Sequence, residues 1–98
     1  MFVVMVNYKK PLEEIDAMLS AHGQFLDKYY AAKAFIVSGR RNPRTSGIIV
    51  TNAASKEELQ RIVQEDPFSR HGLAEYEIIE FTPTKWGEEF AAIVPGGV

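Results

Sequence analysis

The sequence contains no cysteine. That excludes disulfides, thiolate metal sites and a cysteine nucleophile. Histidine is scarce, with 2 in the chain. Neither His22 nor His71 has carboxylates at metal-ligand spacing around it, so no metal is expected. No phosphate loop, nucleophile elbow or dinucleotide fingerprint is present, and no cofactor is expected. Neither sign of charge dominates, since 11 Lys and Arg face 13 Asp and Glu for a formal net charge of −2. Such a balance gives no general attraction to nucleic acid or anionic lipid. Long apolar runs are missing as well. The opening MFVVMVNY reaches Asn7 within a few residues, lacks a basic leader and is too short for a bilayer. Neither a signal peptide nor a membrane partner is expected, and the protein reads as cytoplasmic. Repeats, low-complexity segments and linkers are absent, so the 98 residues read as one domain, 1–98, with a C-terminal tail over 85–98. A chain of this size buries one feasible but thin core.

What is present is strongly periodic. Phe2-Val3-Val4-Met5-Val6 is a continuous, β-branched run, the pattern of a central strand buried on both faces. Pro11 suits the start of a helix. From Leu12 to about Ala32, Ile15, Met18, Leu19, His22, Phe25, Leu26, Tyr29 and Tyr30 step by threes and fours, which predicts one helix. Gly23 is its weak point and predicts a kink or a close approach to a sheet there. Phe35-Ile36-Val37 predicts a second strand closed by Ser38-Gly39, and Gly47–Thr51 a third, joined through the Arg40–Arg44 loop as a hairpin. Ser55-Lys56-Glu57-Glu58 matches a capping box for a second helix that should end near Glu65, because the residue before Pro67 is biased away from helix. One further turn over Pro67–His71 should stop at Gly72. Tyr76–Phe81 predicts the fourth strand. In the tail, Trp86, Phe90, Ile93 and Val94 have helical spacing, and Pro95-Gly96-Gly97 should fray.

The order β-α-β-β-α-β is that of an α+β, ferredoxin-like split βαβ domain with a four-stranded antiparallel sheet. Right-handed crossovers place both helices on one face of that sheet. Yet the strands are apolar at successive positions: Val3 and Val4, Phe35 and Ile36, Ile48 and Ile49, Ile78 and Ile79. Alternating side chains cannot all meet the helices. Large apolar patches are rare on monomers, so a second copy of the sheet should cover the other face, giving a homodimer.

Two residues stand out for chemistry. His22 lies on an apolar stripe, where a titratable ring is out of place. Its structural reading is a partly buried ring donating to a backbone carbonyl or a tyrosine. Its functional reading is a general base or acid, since imidazole exchanges protons near neutral pH. Asp66 has a structural reading as N-cap of the turn begun by Pro67. In this layout the two side chains can approach across the helix–helix groove, and a carboxylate on one ring nitrogen would fix the tautomer and leave the other free. Ser38 and Gly39 read either as a plain turn or as groups that bind a substrate oxygen. Arg40, Arg41 and Arg44 read as a solvated loop or as a site for a carboxylate or phosphate. His71, just before a glycine stop, complements the helix end and needs no other role.

Together, MFVVMVNY, AHGQFLDKYYAA, VSG, SGIIV and EDPFSRHGLAEYEIIEFTPT resemble the YciI-like (YCII-related) domain family, over nearly the whole chain to about Thr84. The resemblance implies a ferredoxin-like, dimeric α/β-barrel protein. It implies that His22 and Asp66 form the active-site pair, with Ser38 and Gly39 lining the same pocket. One departure is Arg40, where the family commonly continues Ser-Gly with proline. A related member removes chloride from a chlorinated hydroxyquinol, so the resemblance points to a lyase or dehydrochlorinase type of reaction on a hydroxylated aromatic or similar small molecule. Two readings follow. One is a cofactor-independent enzyme using His22 and Asp66. The other is a non-catalytic dimeric module that binds a ligand or a protein, with the pair as a structural hydrogen bond.

Overall fold

The computed structural model describes residues 1–94. Along it run β1 (Phe2–Tyr8), α1 (Leu12–Ala17), α2 (Leu19–Ala31), β2 (Phe35–Arg40), β3 (Ser46–Thr51), α3 (Lys56–Val63), α4 (Pro67–Arg70) and β4 (Ala74–Glu80), with a short 3-10 turn at Glu88–Phe90. The strands form one antiparallel sheet in the order β2-β3-β1-β4. This is the ferredoxin-like, α+β arrangement that the sequence order predicts.

Register decides which side chains face the helices. Val4 pairs with Ile49 on one side and Ile78 on the other, and Phe2 pairs with Thr51. Phe2, Val4, Val6 and Ile49 are buried, and they meet Ile15, Phe25, Leu59 and Phe68 from the helical layer. Each such side chain taken out of water contributes about 1.5–3 kcal/mol. The alternate row is different. Val3, Met5, Ile48 and Val50 are only half-buried, and Val37 and Ile79 are exposed. The helices therefore cover one face, and β1 is not buried on both sides within a single chain.

Local signals act as their chemistry dictates. The Ser55 side chain accepts from the Glu58 amide at 3.1 Å, and the Glu58 carboxylate returns to the Ala54 amide at 3.3 Å. That is a capping box displaced by one residue on its return side. Gly72 takes φ +65, the left-handed conformation that stops α4.

Four expectations need correction. The helix predicted from Leu12 to Ala32 is two helices that meet at Met18, whose backbone (φ −108, ψ 5) closes α1 through a bond to the Ile15 carbonyl. The break is not at Gly23, and apart from its chain neighbours and its own helix backbone no atom lies within 4 Å of where a Cβ would sit there, so no packing contact requires that glycine. Ser38 and Gly39 do not close β2. After a register shift between Phe35 and Val37 the strand resumes, pairing Ser38 with Ile49, Gly39 with Ile48 and Arg40 with Gly47. The tail is extended around its single 3-10 turn rather than helical, because Trp86, Phe90 and Ile93 turn toward Ile36, Val37 and Val50 at one margin of the uncovered sheet face. Asn52 Nδ2 ties it down by donating to the Ile93 carbonyl at 2.9 Å. Pro95-Gly96-Gly97 lie outside the described residues.

Candidate active site

Asp66 sits between α3 and α4. The following proline keeps its backbone extended (φ −63, ψ 128) and begins α4 at the first helical position. In that conformation the carboxylate folds back, and Oδ1 accepts from the Phe68 amide at 3.1 Å, the N-cap bond. The same Oδ1 accepts from His22 Nδ1 at 2.8 Å. An ionised carboxylate only accepts, so Nδ1 donates, and in the neutral imidazole Nε2 keeps its lone pair. The other oxygen, Oδ2, accepts from the Tyr76 hydroxyl at 2.6 Å. Asp66 has no exposed surface. Its charge is held by three donors, drawn from α2, α4 and β4, which is how a buried carboxylate survives without a buried cation.

His22 lies one turn into α2, on the side facing α4. Its ring stacks on Phe68, with centroids 4.2 Å apart and planes 7° from parallel. Phe68 in turn meets Tyr8 edge-on at 6.0 Å. The His22 side chain keeps 15% of its surface accessible. The imidazole is thus clamped by a ring on one face and a carboxylate at one nitrogen, yet solvent still reaches it. Neither a backbone carbonyl nor a tyrosine takes its Nδ1, so the structural partner expected for an isolated core histidine is not the one found.

A cavity of about 140 Å³ is lined by Tyr8, Leu19, Leu26, Ser38, Gly39, Arg40, Arg44, Ile48 and Ile49. Leu19 and Leu26 flank His22 on α2 at steps of three and four, so they share its face of the helix. His22 itself is not among the lining residues. The volume is close to the roughly 150 Å³ that admits a benzene ring in an apolar protein cavity. Four of the other residues predicted for the site do converge on this cavity. Ser38 shares a hydrogen bond of 2.5 Å with the Tyr30 hydroxyl. Gly39 and Arg40 follow it along β2. Arg44 reaches in from the loop and pairs with Asp16 of α1. This contact raises the guanidinium pKa, chiefly through the Asp16 hydrogen bond, and lowers that of the Asp16 carboxyl. Arg41 does not join. It is exposed, and its backbone amide is spent on the Ser46 carbonyl at 2.8 Å.

Tyr76 and Phe68 were not singled out by the sequence as site residues. A signal for Tyr76 does exist: Ala74, Tyr76 and Ile78 alternate with Glu75 and Glu77, so the tyrosine faces inward, where its hydroxyl requires a partner. A larger and more open cleft of about 470 Å³, walled by Lys56, Gln60 and Gln64, shares Tyr76 with the site. Among the described residues no group of His, Asp and Glu side chains has the geometry to hold a metal ion. Nor is any helix there long and apolar enough to cross a membrane.

Comparison with known proteins adds family and fold. The model of the YCII-related domain matches residues 1–82. Among solved structures, 5-chloro-2-hydroxyhydroquinone dehydrochlorinase (TftG) from Burkholderia phenoliruptrix AC1100, in complex with 2,5-dihydroxybenzoquinone, superposes with a TM-score of 0.70 at 21% identity, over 91% of this chain and 98% of that one. At that identity the likeness is one of fold. No curated protein matches the chain by sequence.

Proposed function

The chain belongs to the YCII-related domain family, and from that membership we propose that it is a cofactor-independent enzyme acting on a small hydroxylated aromatic, with His22 as acid–base group and Asp66 as its orienting partner. One observation carries the reading. A wholly buried carboxylate bonds His22 Nδ1 at 2.8 Å, on a ring that solvent still reaches. A pair that served packing alone would have no need of a partly exposed imidazole. The dehydrochlorinase that shares this fold is named for 5-chloro-2-hydroxyhydroquinone, and loss of chloride from such a ring suits one imidazole.

In the proposed reaction, Nε2 takes a proton from a ring hydroxyl, and the oxygen's electron pair moves into the ring as a carbonyl forms. The imidazolium returns that proton to the carbon bearing the leaving group. Loss of a second hydroxyl proton then forms the second carbonyl, and the halide departs with its bonding pair. The net change is loss of one hydrogen halide, with no oxidant or reductant consumed. Arg40 and Arg44 at the cavity wall suit an anionic ring oxygen. The second copy of the chain, covering the uncovered sheet face, completes the proposed assembly.

A panel of halogenated and unhalogenated hydroxyquinols tests this, with release of halide and formation of quinone as readouts. The native protein should turn over at least one halogenated member, and His22→Ala should lower the rate 10²–10⁴-fold, the usual contribution of general acid–base catalysis. No turnover of any member by the native protein would leave the non-catalytic binding module as the reading, and equal measurable rates in the native protein and His22→Ala would remove the role of His22.

A further inference from the structure

We propose that Tyr76 is a positioning residue of this site, whose hydroxyl fixes the far oxygen of Asp66 and so holds His22 in a single tautomer. The inference rests on the acid–base reading of His22. It starts from the geometry of a carboxylate, which has two equivalent oxygens and a broad, roughly two-fold torsion about its last bond. Both the His22 and the Phe68 donors fall on Oδ1. Oδ2 has one partner, the Tyr76 hydroxyl at 2.6 Å. With that donor removed, Oδ2 would be a buried, unpaired anionic oxygen, and the group would turn or take on a new donor to relieve it. Either response moves Oδ1 away from Nδ1. Tyr76 therefore decides whether Asp66 orders His22, although it does not touch the ring.

Two further observations fit a positioning role. Tyr76 bonds Asp66 and is absent from the wall of the 140 Å³ cavity where Arg40 and Arg44 stand. It also remains a donor. Burial first, then its bond to Asp66 and the carboxylate charge, push the phenol well above the ordinary tyrosine range, so it stays protonated wherever the site would work. Its place on β4 matters too: that strand is paired along β1, so the carboxylate is held from the sheet as well as from the two helices.

The experiment uses the full chain, labelled with nitrogen-15, and reads the His22 ring nitrogens by long-range proton–nitrogen correlation where imidazole is neutral. In the native protein Nδ1 should appear as a protonated nitrogen and Nε2 as a bare one, with a single tautomer. In Tyr76→Phe the Nε2–H form should rise from undetectable to a share comparable with the Nδ1–H form. A folded Tyr76→Phe whose His22 pattern is unchanged overturns the proposal. If that variant does not fold, the native protein decides: the Tyr76 hydroxyl proton should exchange slowly enough to be seen, and exchange at the solvent rate overturns the proposal. The two layers separate cleanly. A native ring protonated at Nε2 removes the His22–Asp66 reading itself, whereas a native Nδ1–H ring indifferent to Tyr76→Phe removes only the role of Tyr76.

Discussion

One carboxylate at position 66 does two things that are usually alternatives. It caps α4 through the Phe68 amide, and it orders an imidazole from a different helix through the same oxygen. Removing it therefore costs on both counts. Asp66→Ala should lose a cap worth ~1 kcal/mol. It should also leave the His22 and Tyr76 donors without their acceptor, at about 1–3 kcal/mol for each that stays buried and unpaired. Denaturant unfolding should show a loss of roughly 3–7 kcal/mol in all, summing these contributions. Asp66→Asn keeps the capping oxygen and the volume, so it should lose roughly half as much stability while still abolishing the order at His22. A midpoint for Asp66→Ala indistinguishable from the native one would mean that the three donors find partners elsewhere, and the buried network would not be what holds α4 in place. His22→Ala is the complementary change. It removes the stacking partner of Phe68, worth about 0.5–1.5 kcal/mol, and leaves the cap intact, so its effect should fall on activity far more than on stability.

At the scale of elements, α2 is bound to the end of α3 by side chains outside the buried pair. Lys28 Nζ donates to Glu65 at 2.6 Å, and the Tyr29 hydroxyl donates to the other Glu65 oxygen. The Lys28 and Tyr29 bonds hold the Glu65 carboxyl below its usual 4.5, and Glu65 raises Lys28 above its usual 10.5. A depressed carboxyl adds stability above its unfolded value and loses it as pH falls through the folded one; a raised ammonium adds stability below its unfolded value and loses it as pH rises through the folded one. The contact is therefore complete between those two values and fails at either end. Thermal melts should show the native protein losing more stability than Glu65→Gln as pH is lowered from neutral to below 4.5, a modest difference that salt reduces because the groups are exposed. Parallel acid limbs in the two proteins would count against the tie. Ser55→Ala, which removes the cap of α3, should cost ~1 kcal/mol at any of these pH values.

Elements of this kind were legible in the sequence wherever the signal is local. The capping serine, the proline after Asp66 and the glycine at 72 act over a few bonds, and each placed its element boundary to within a residue or two. The approach of His22 to Asp66 was legible because the strand–helix order leaves few topologies. What escaped is tertiary. The helix breaks at Met18, whose backbone leaves the helical region, and no side chain at 18 announces it. β2 runs on through Ser38 and Gly39 because β3 supplies partners to pair with, overriding their turn preference. Tyr76 could be placed on the inner face by alternation, but the partner of its hydroxyl lies ten residues away across a bend.

For the whole molecule, the uncovered sheet face is the feature that a single chain does not resolve. Register places Val3, Val50, Val37 and Ile79 in one row across the sheet, and Met5 and Ile48 in the next. The tail stands only at the margin, where Trp86, Phe90 and Ile93 meet Ile36, Val37 and Val50 around a gap of about 240 Å³. Met5 and Ile48 lie outside that contact, so the described residues of the tail do not cover the middle of the face. A second copy packed sheet to sheet would bury both rows about a two-fold axis, each chain offering the same strip to the other. Met5→Lys separates the possibilities. On a monomer it adds a solvated charge to a half-exposed site and should change stability by no more than about 0.5 kcal/mol. In a sheet-to-sheet dimer it places two unpaired ammonium groups near the axis, at several kcal/mol each if they stay desolvated. Sedimentation equilibrium at micromolar concentration should therefore report twice the chain mass for the native protein and the single mass for folded Met5→Lys. A native protein that sediments as one chain would mean that this face stays open to water, and the second copy would have no part in the site.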